Sequence, residues 1–218
     1  MKNDKLTLKQ QEFIIGTLLG DGNMQTETKG RTWRYRAIQK LDHQEYLFFK
    51  YEMLINFCND KPIYSKIFDD RTNKFYERYY FNTKVHKCFR FYGNLFYKWN
   101  DVLNKFIKII PKNIEKFLTP ASIAYWYMDV GALNWLGKSN GMRICTDNYT
   151  LICVKRLQKA LKKKFNIETK LKKKKKKMII SFSLYINEKN SESFRELIKP
   201  YLINCMKYKV SAENKNHL

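Results

Sequence analysis

The chain has only three histidines, and its five cysteines (Cys58, Cys88, Cys145, Cys153 and Cys205) are odd in number and include no Cys-x-x-Cys pair. Zinc-ligating clusters and a disulfide framework are therefore not expected, and reduced, mostly buried thiols fit a cytosolic or organelle-matrix compartment. Hydrophobic runs are short as well: no window approaches the roughly eighteen uncharged apolar residues that a membrane-spanning helix requires. The start, Met1-Lys2-Asn3-Asp4, offers neither an apolar leader core nor an Arg/Ser-rich amphipathic presequence, so a folded, soluble protein that acts where it is made is expected. A Gly/Ser-rich linker is missing too, and independent motion of two halves is not expected. Acid is scarce: 20 Asp plus Glu stand against 43 Lys plus Arg, a net charge of +23. Self-repulsion on that scale calls for an anionic partner. Peripheral membrane binding concentrates charge on one amphipathic helix. Here basic residues run from Lys29 to Lys209, which favours nucleic acid over a membrane.

What is present is organised around Ile14-Ile15-Gly16-Thr17-Leu18-Leu19-Gly20-Asp21-Gly22, an apolar run with two glycines four apart that stops at an acid and a glycine. Residues 7–19 read as a helix with Thr7 as its cap, ended by Gly22. Gly16 and Gly20 strip side chains from one face and allow a second backbone close approach. An ordinary core helix would lose roughly 1 kcal/mol at each glycine relative to alanine, so the pair implies a packing reason. A second stretch, Ile123-Ala124-Tyr125-Trp126-Tyr127-Met128-Asp129-Val130-Gly131, copies the first, with Thr119-Pro120 placed to start its helix and Val130 standing where Asp21 stands.

After each motif the same order follows. Residues 23–39 suggest a β-hairpin with Trp33, Tyr35 and Ala37 on one face and Arg34 and Arg36 on the other. A helix over 44–57, capped by Asp42, carries the apolar stripe Tyr46, Leu47, Phe49, Tyr51, Leu54 and Phe57. Residues 62–83 read as a second hairpin around Asp69-Asp70-Arg71-Thr72-Asn73, and 86–99 as helix. Asn82-x-Lys84-x-x-x-x-Phe89-Arg90 recurs as Asn187-x-Lys189-x-x-x-x-Phe194-Arg195, in register with the motifs. This is an internal duplication, with expected repeats at 1–110 and 111–218 joined tightly as one unit.

A duplicated helix of this form, with Leu118-Thr119-Pro120 leading into the second copy and Ile198-Lys199-Pro200-Tyr201-Leu202 near the end, resembles the single-chain LAGLIDADG homing endonucleases and their intron-maturase relatives. The resemblance covers about residues 8–210. It implies an α+β fold of two pseudo-symmetric αββαββα repeats, with the motif helices side by side above a saddle of antiparallel strands that lies in the DNA major groove. It also implies chemistry: the last acid of each motif would hold a divalent metal, usually Mg2+, at the scissile phosphates. Asp21 matches the first such acid, and Lys108 and Lys209 match basic residues that flank each site in some relatives. The implied setting is an organelle matrix, mitochondrial, with the chain a monomer of internal pseudo-twofold symmetry.

Val130 departs from that pattern, because valine cannot ligate a metal. Asp129 is one residue earlier, about 100° round a helix, and cannot take its place without a change of register. Tyr125 stands opposite Gly16 in the alignment, a further apparent loss. Two functions then compete: a cleavage-impaired binding protein for structured RNA, as an intron maturase or a component of an organellar ribosome or other ribonucleoprotein; and an active or nicking endonuclease on double-stranded DNA, requiring divalent metal. The first is favoured, since the family's cleavage draws on both acids. For nucleic-acid contact the candidates are Arg31, Arg34 and Arg36 on the first hairpin, where guanidinium can bond bidentately. The run Lys172, Lys173, Lys174, Lys175, Lys176 and Lys177 is the other candidate, read as the tip and sides of a hairpin that supplies affinity without sequence selectivity. Lys155-Arg156 and Lys162-Lys163-Lys164 read equally well as a solvated helix face, and His43, His86 and His217 have no ligand spacing.

Overall fold

A computed structural model describes residues 5–135, 139–176 and 179–211. The chain runs α1 (Leu8–Leu19), β1 (Asn23–Gln25), β2 (Arg34–Lys40), α2 (Gln44–Met53), β3 (Ile63–Asp69), β4 (Lys74–Asn82), α3 (Arg90–Phe96), β5 (Tyr97–Asn100) and β6 (Lys105–Lys108). It continues with α4 (Pro120–Val130), β7 (Gly131–Trp135), β8 (Ser139–Cys145), α5 (Leu151–Phe165), β9 (Lys170–Lys176), β10 (Ile179–Ile186) and α6 (Glu188–Ile198). Two four-stranded antiparallel sheets have matching orders, β1-β2-β4-β3 and β7-β8-β10-β9, while β5 and β6 form a separate hairpin. Among the described residues no helix is long and apolar enough to cross a membrane.

Both motif helices begin with a reciprocal cap, Thr7 with Gln10 and Thr119 with Ser122, the latter aided by Pro120 in the first turn. Their middles are buried on all sides, as expected of helices at the centre of the fold. The seam between them is set by the two glycines. A methyl group added to Gly16 would lie 2.3 Å from the Ser122 carbonyl oxygen and 2.7 Å from Tyr125 Cβ; one on Gly20 would lie 2.4 Å from Asp129 Cβ. Tyr125 and Asp129 therefore fill the space that the glycines vacate. The larger residues of α4 are the complement of α1, which corrects the reading of Tyr125 as a loss.

Residues 111–119 join α4 to the preceding hairpin and bury Ile114 and Leu118 in the core. Arg156 and Lys164 of α5 donate to the main-chain oxygens of Ile110 and Leu118. These two basic side chains thus serve the fold.

Three readings differ from the expected ones: to begin with, the helix expected over 44–57 ends at Met53 and gives way to a 3₁₀ turn, Ile55–Phe57. The helix over 86–99 stops at Phe96, and the chain turns into strand, because Trp33 organises this region. The ring of Trp33 lies flat against Gly93 and packs at 5.5 and 5.1 Å from those of Tyr97 and Phe106 on the hairpin. Tertiary packing here outweighs helical periodicity. Asp42 does not cap α2: it sits inside a 3₁₀ turn, Leu41–His43, and pairs with Lys40 at 2.7 Å.

Candidate nucleic-acid interface and catalytic cleft

Strand alternation gives each sheet one face toward the helices and one toward solvent. In β2, Tyr35 and Ala37 are buried while Arg34 and Arg36 lie on the open face, as the sequence pattern predicts. The register places Arg36 beside Asn82 and Ile38 beside Tyr80, so Arg78, Tyr80 and Asn82 of β4 share that face. The Arg36 guanidinium lies 5.0 Å over the Tyr80 ring. Arg36 Nε, Arg78 Nε and Asn82 Oδ1 are buried without a hydrogen-bond partner among the described residues, as is Arg143 Nε on the open face of β8. An unmet buried polar group costs about 1–3 kcal/mol, so a concentration of such groups on one face marks it as a surface awaiting a polar partner.

Arg31 lies in the exposed turn between β1 and β2, its Nε donating to the Thr28 carbonyl. The lysine run forms β9 itself. Lys172 pairs with Ser183 and Lys174 with Ser181 in β10, on the open face, while Lys173 and Lys175 alternate to the other side. Lys176 closes the strand, and Lys177 lies outside the described residues. Lys172 Nζ stands 5.8 Å over the Tyr185 ring and Lys174 pairs with Asp147 at 3.5 Å.

At the centre, α1 ends on Gly20 and Asp21 emerges at its foot. A cleft of about 290 Å³ opens there, lined by Asp21, Lys108, Val130, Asp147, Asn148 and Tyr149 among others. Val130 thus borders the same space as Asp21. Lys108 Nζ donates to the carbonyls of Gly20 (2.9 Å) and Gly22 (2.7 Å), and Lys209 Nζ donates to those of Met128 and Asp129. Each predicted lysine therefore neutralises the negative end of one motif helix. Burial pushes the Lys108 ammonium down to about 8, against the upward pull of Asp129 and Asp21, and lowers Lys209 as well. The Asp21 carboxylate is open to the cleft yet closely surrounded; desolvation first and the Asp129 charge second raise its pKa, while Lys50, Lys209 and Lys108 oppose.

Asp129 is turned away from this cleft. Its side chain is fully buried and ion-paired to the equally buried Lys50 of α2. Tyr46 donates its hydroxyl to Oδ1 at 2.7 Å, and the Asp21 N–H donates to Oδ2 at 2.9 Å. Lys50 Nζ lies 4.3 Å over the Tyr46 ring. The signal for this pair in the sequence is a cation on the buried row Tyr46, Lys50, Leu54 at helical spacing. Among the described residues no group of three or more His, Cys, Asp or Glu could hold a metal ion. Asp21 alone, with the neighbouring carbonyls engaged by Lys108, does not fit a metal site shared by two motif acids.

Two duplicated sheets beneath paired motif helices, with an acid at the foot of one, define a nucleic-acid-binding scaffold of the two-motif endonuclease class. The model of the LAGLIDADG DNA endonuclease family matches residues 11–194, and the chain belongs to that family. It is 48% identical to DNA endonuclease I-ChuI of Chlamydomonas applanata, covering 98% of this chain and 99% of that one. Cytochrome b mRNA maturase bI2 of Debaryomyces hansenii is 30% identical, over 95% of this chain and 76% of its own length. Among solved structures, the homing endonuclease I-WcaI bound to its DNA recognition sequence superimposes with a TM-score of 0.83 at 25% identity, covering 95% of this chain and 88% of that one. I-DmoI, solved with DNA and manganese, has the same fold at a TM-score of 0.52 and 14% identity, over 90% of this chain and 99% of its own.

Proposed function

We propose that the chain is a nucleic-acid clamp on an endonuclease scaffold, with cleavage impaired because only one motif helix ends in a free acid. The observation that carries this reading is Val130, which borders the cleft of Asp21 while the adjacent Asp129 is held by Lys50 and Tyr46. A displacement that uses metal at both strands needs acidic ligands for both, and the residues here supply one side. No step through a metal is therefore assigned to this chain.

The reading for the bound partner is duplex DNA, gripped along its major groove by the open faces of the two sheets, which carry Arg34, Arg36, Arg78, Lys172 and Lys174. Similarity to I-ChuI along nearly the whole chain and to I-WcaI in its DNA complex supports this. Structured RNA, in an intron maturase or another ribonucleoprotein, is the second reading. The bI2 maturases of D. hansenii and Saccharomyces cerevisiae align over 95% and 94% of the chain and favour it, and the point charges of β9 suit phosphates of either helix form. Both readings have the chain act as a monomer whose two repeats, 1–110 and 111–218, form one unit. The cytochrome b maturases support a mitochondrial matrix location.

The test is selection from randomised DNA and RNA pools, followed by a cleavage assay on the selected ligand with Mg2+. Wild type should bind without cutting both strands of a DNA ligand, and Val130→Asp should gain double-strand cutting that depends on Asp21. Double-strand cutting by wild type, abolished in Asp21→Asn, would overturn the proposal.

A further inference from the structure

Beside the open face of the first sheet the β5–β6 hairpin stands as a wall, and its residues Trp99, Asn104, Lys105 and Phe106 form with β1 and β2 an open cleft of about 540 Å³. Among the described residues the second half has no such wall: α6 is followed only by 3₁₀ turns, Lys199–Tyr201 and Asn204–Lys209. The hairpin is therefore an addition to the duplicated plan, and covering Trp33 accounts for Tyr97 and Phe106 but not for Trp99 on the same face.

The end of that face that carries Trp99 has a specific construction. Trp99 remains 37% exposed, and its ring is held at 5.2 Å by Phe106, which in turn packs at 5.1 Å on the buried Trp33. Tyr97 pins the hairpin to β1, donating its hydroxyl to Asn23 Oδ1 at 2.6 Å and accepting from the Met24 N–H at 3.1 Å. Trp99 is thus a fixed aromatic face. Across the cleft, Arg34 is also fixed, donating from Nε to Gln25 Oε1 at 3.2 Å and from Nη2 to Glu27 Oε1 at 3.1 Å. A carboxylate beside a guanidinium repels a phosphate from that wall but offers an acceptor next to donors, the pattern that a base edge needs. Lys105, at the rim, suits the phosphate.

We propose that this cleft binds a single unpaired nucleobase, stacked on Trp99 and met at its edge by the Arg34–Glu27 pair. A base inside an intact duplex has both faces covered by its neighbours and cannot present one to Trp99. The ligand is therefore a base that has left the stack, from an RNA bulge or from an opened DNA step. The inference rests on the nucleic-acid-binding reading above and goes beyond it by naming what one end of the interface recognises.

The experiment uses the full chain and four fluorescent oligonucleotides: a paired DNA duplex, the same duplex with one unpaired 2-aminopurine, and the RNA versions of both. Trp99→Ala should weaken binding to the unpaired-base ligands about tenfold, the range of base–aromatic stacking, and change binding to the paired ligands less than twofold. Trp99→Phe should keep most of the preference, and thermal melts of both variants guard against a folding defect in the alanine one. Wild type should quench 2-aminopurine, Trp99→Ala should not, and the nucleic acid in which the preference is larger identifies the source. Equal losses on paired and unpaired ligands, or no loss on either, would overturn the inference and leave the clamp intact. Absence of binding to all four would overturn both.

Discussion

The ion pair between Lys50 and Asp129 is the interaction whose removal should be felt most. Both side chains are fully buried, so Lys50→Met, close in shape, leaves a carboxylate in the helix seam without its cation. Breaking a buried pair from one side costs about 3–5 kcal/mol. Here Asp129 retains the Tyr46 hydroxyl and the Asp21 N–H, and hydrogen bonds to a charged group are worth about 1.5–3 kcal/mol each, which places the loss near 3 kcal/mol. In a chain of this size that corresponds to a fall of about 6–12 °C in Tm. Asp129→Asn should cost a similar amount, because it removes the charge and leaves one amide oxygen for both the Lys50 ammonium and the Asp21 N–H. The double variant removes both charges and keeps an acceptor for Asp21, so it should recover most of the loss, with a coupling energy of at least about 2 kcal/mol. Urea denaturation of the four proteins, followed by circular dichroism and tryptophan fluorescence, measures the cycle. A cost below about 1 kcal/mol for Lys50→Met, or single effects that simply add, would mean that Asp129 is not committed to Lys50. Asp129 would then be free to serve the cleft.

Gly16→Ala raises helix propensity by up to about 1 kcal/mol, yet its methyl would meet a backbone oxygen at 2.3 Å. Net destabilisation of about 2 kcal/mol is expected in thermal melts, and an unchanged or higher Tm would refute the close seam. Lys172→Gln with Lys174→Gln should reduce the slope of log affinity against log salt for a DNA ligand by about 0.9 per lysine, with little change in sequence preference; an unchanged slope would remove β9 from the interface. Lys108, with its pKa lowered to about 8 by burial among Asp21, Asp129 and Lys50, holds fewer protons folded than unfolded above that pH. Its burial penalty is full below pH 8 and is lost between pH 8 and about 10.5, where stability must rise. The stability of wild type relative to Lys108→Met, from urea titrations, should therefore increase by about 2 kcal/mol across that window after allowance for solvent screening. A flat or falling difference would be contrary evidence.

Much of this was legible in the linear chain for a physical reason: the features recovered are local ones. Thr7 and Thr119 announce their helices through capping chemistry, Gly16 and Gly20 announce a seam through spacing, and alternation at Arg34, Tyr35, Arg36 and Ala37 separates the open face from the core. The misses depend on partners distant in the chain. Trp99 reads as the end of a helix until Trp33, far upstream, draws Tyr97 and Phe106 around itself. Lys50 stands on the buried row of α2, but nothing in the local sequence names its partner until α4 brings Asp129 against it. Lys108 and Lys209 are picked out by the family resemblance, but their bonds to main-chain carbonyls follow from helix ends that only the fold supplies.

The same contacts separate two kinds of change in the second motif. Tyr125 fills the hollow at Gly16, and Asp129 fills the one at Gly20 while anchoring α2 through Lys50. Both are tied to the asymmetry of the seam, and reverting them toward the first motif would open cavities at the centre of the molecule. Val130 is different: it is partly buried against the core but borders the cleft of Asp21. Burial of its apolar surface contributes at most about 1–2 kcal/mol, and an aspartate there would have solvent on its cleft side. A seam held by complementary packing, beside a valine at the mouth of the cleft, is the arrangement on which the proposed clamp rests. It is also why Val130→Asp is the informative substitution: it places a second acid at the cleft while leaving the seam that holds the two sheets in register.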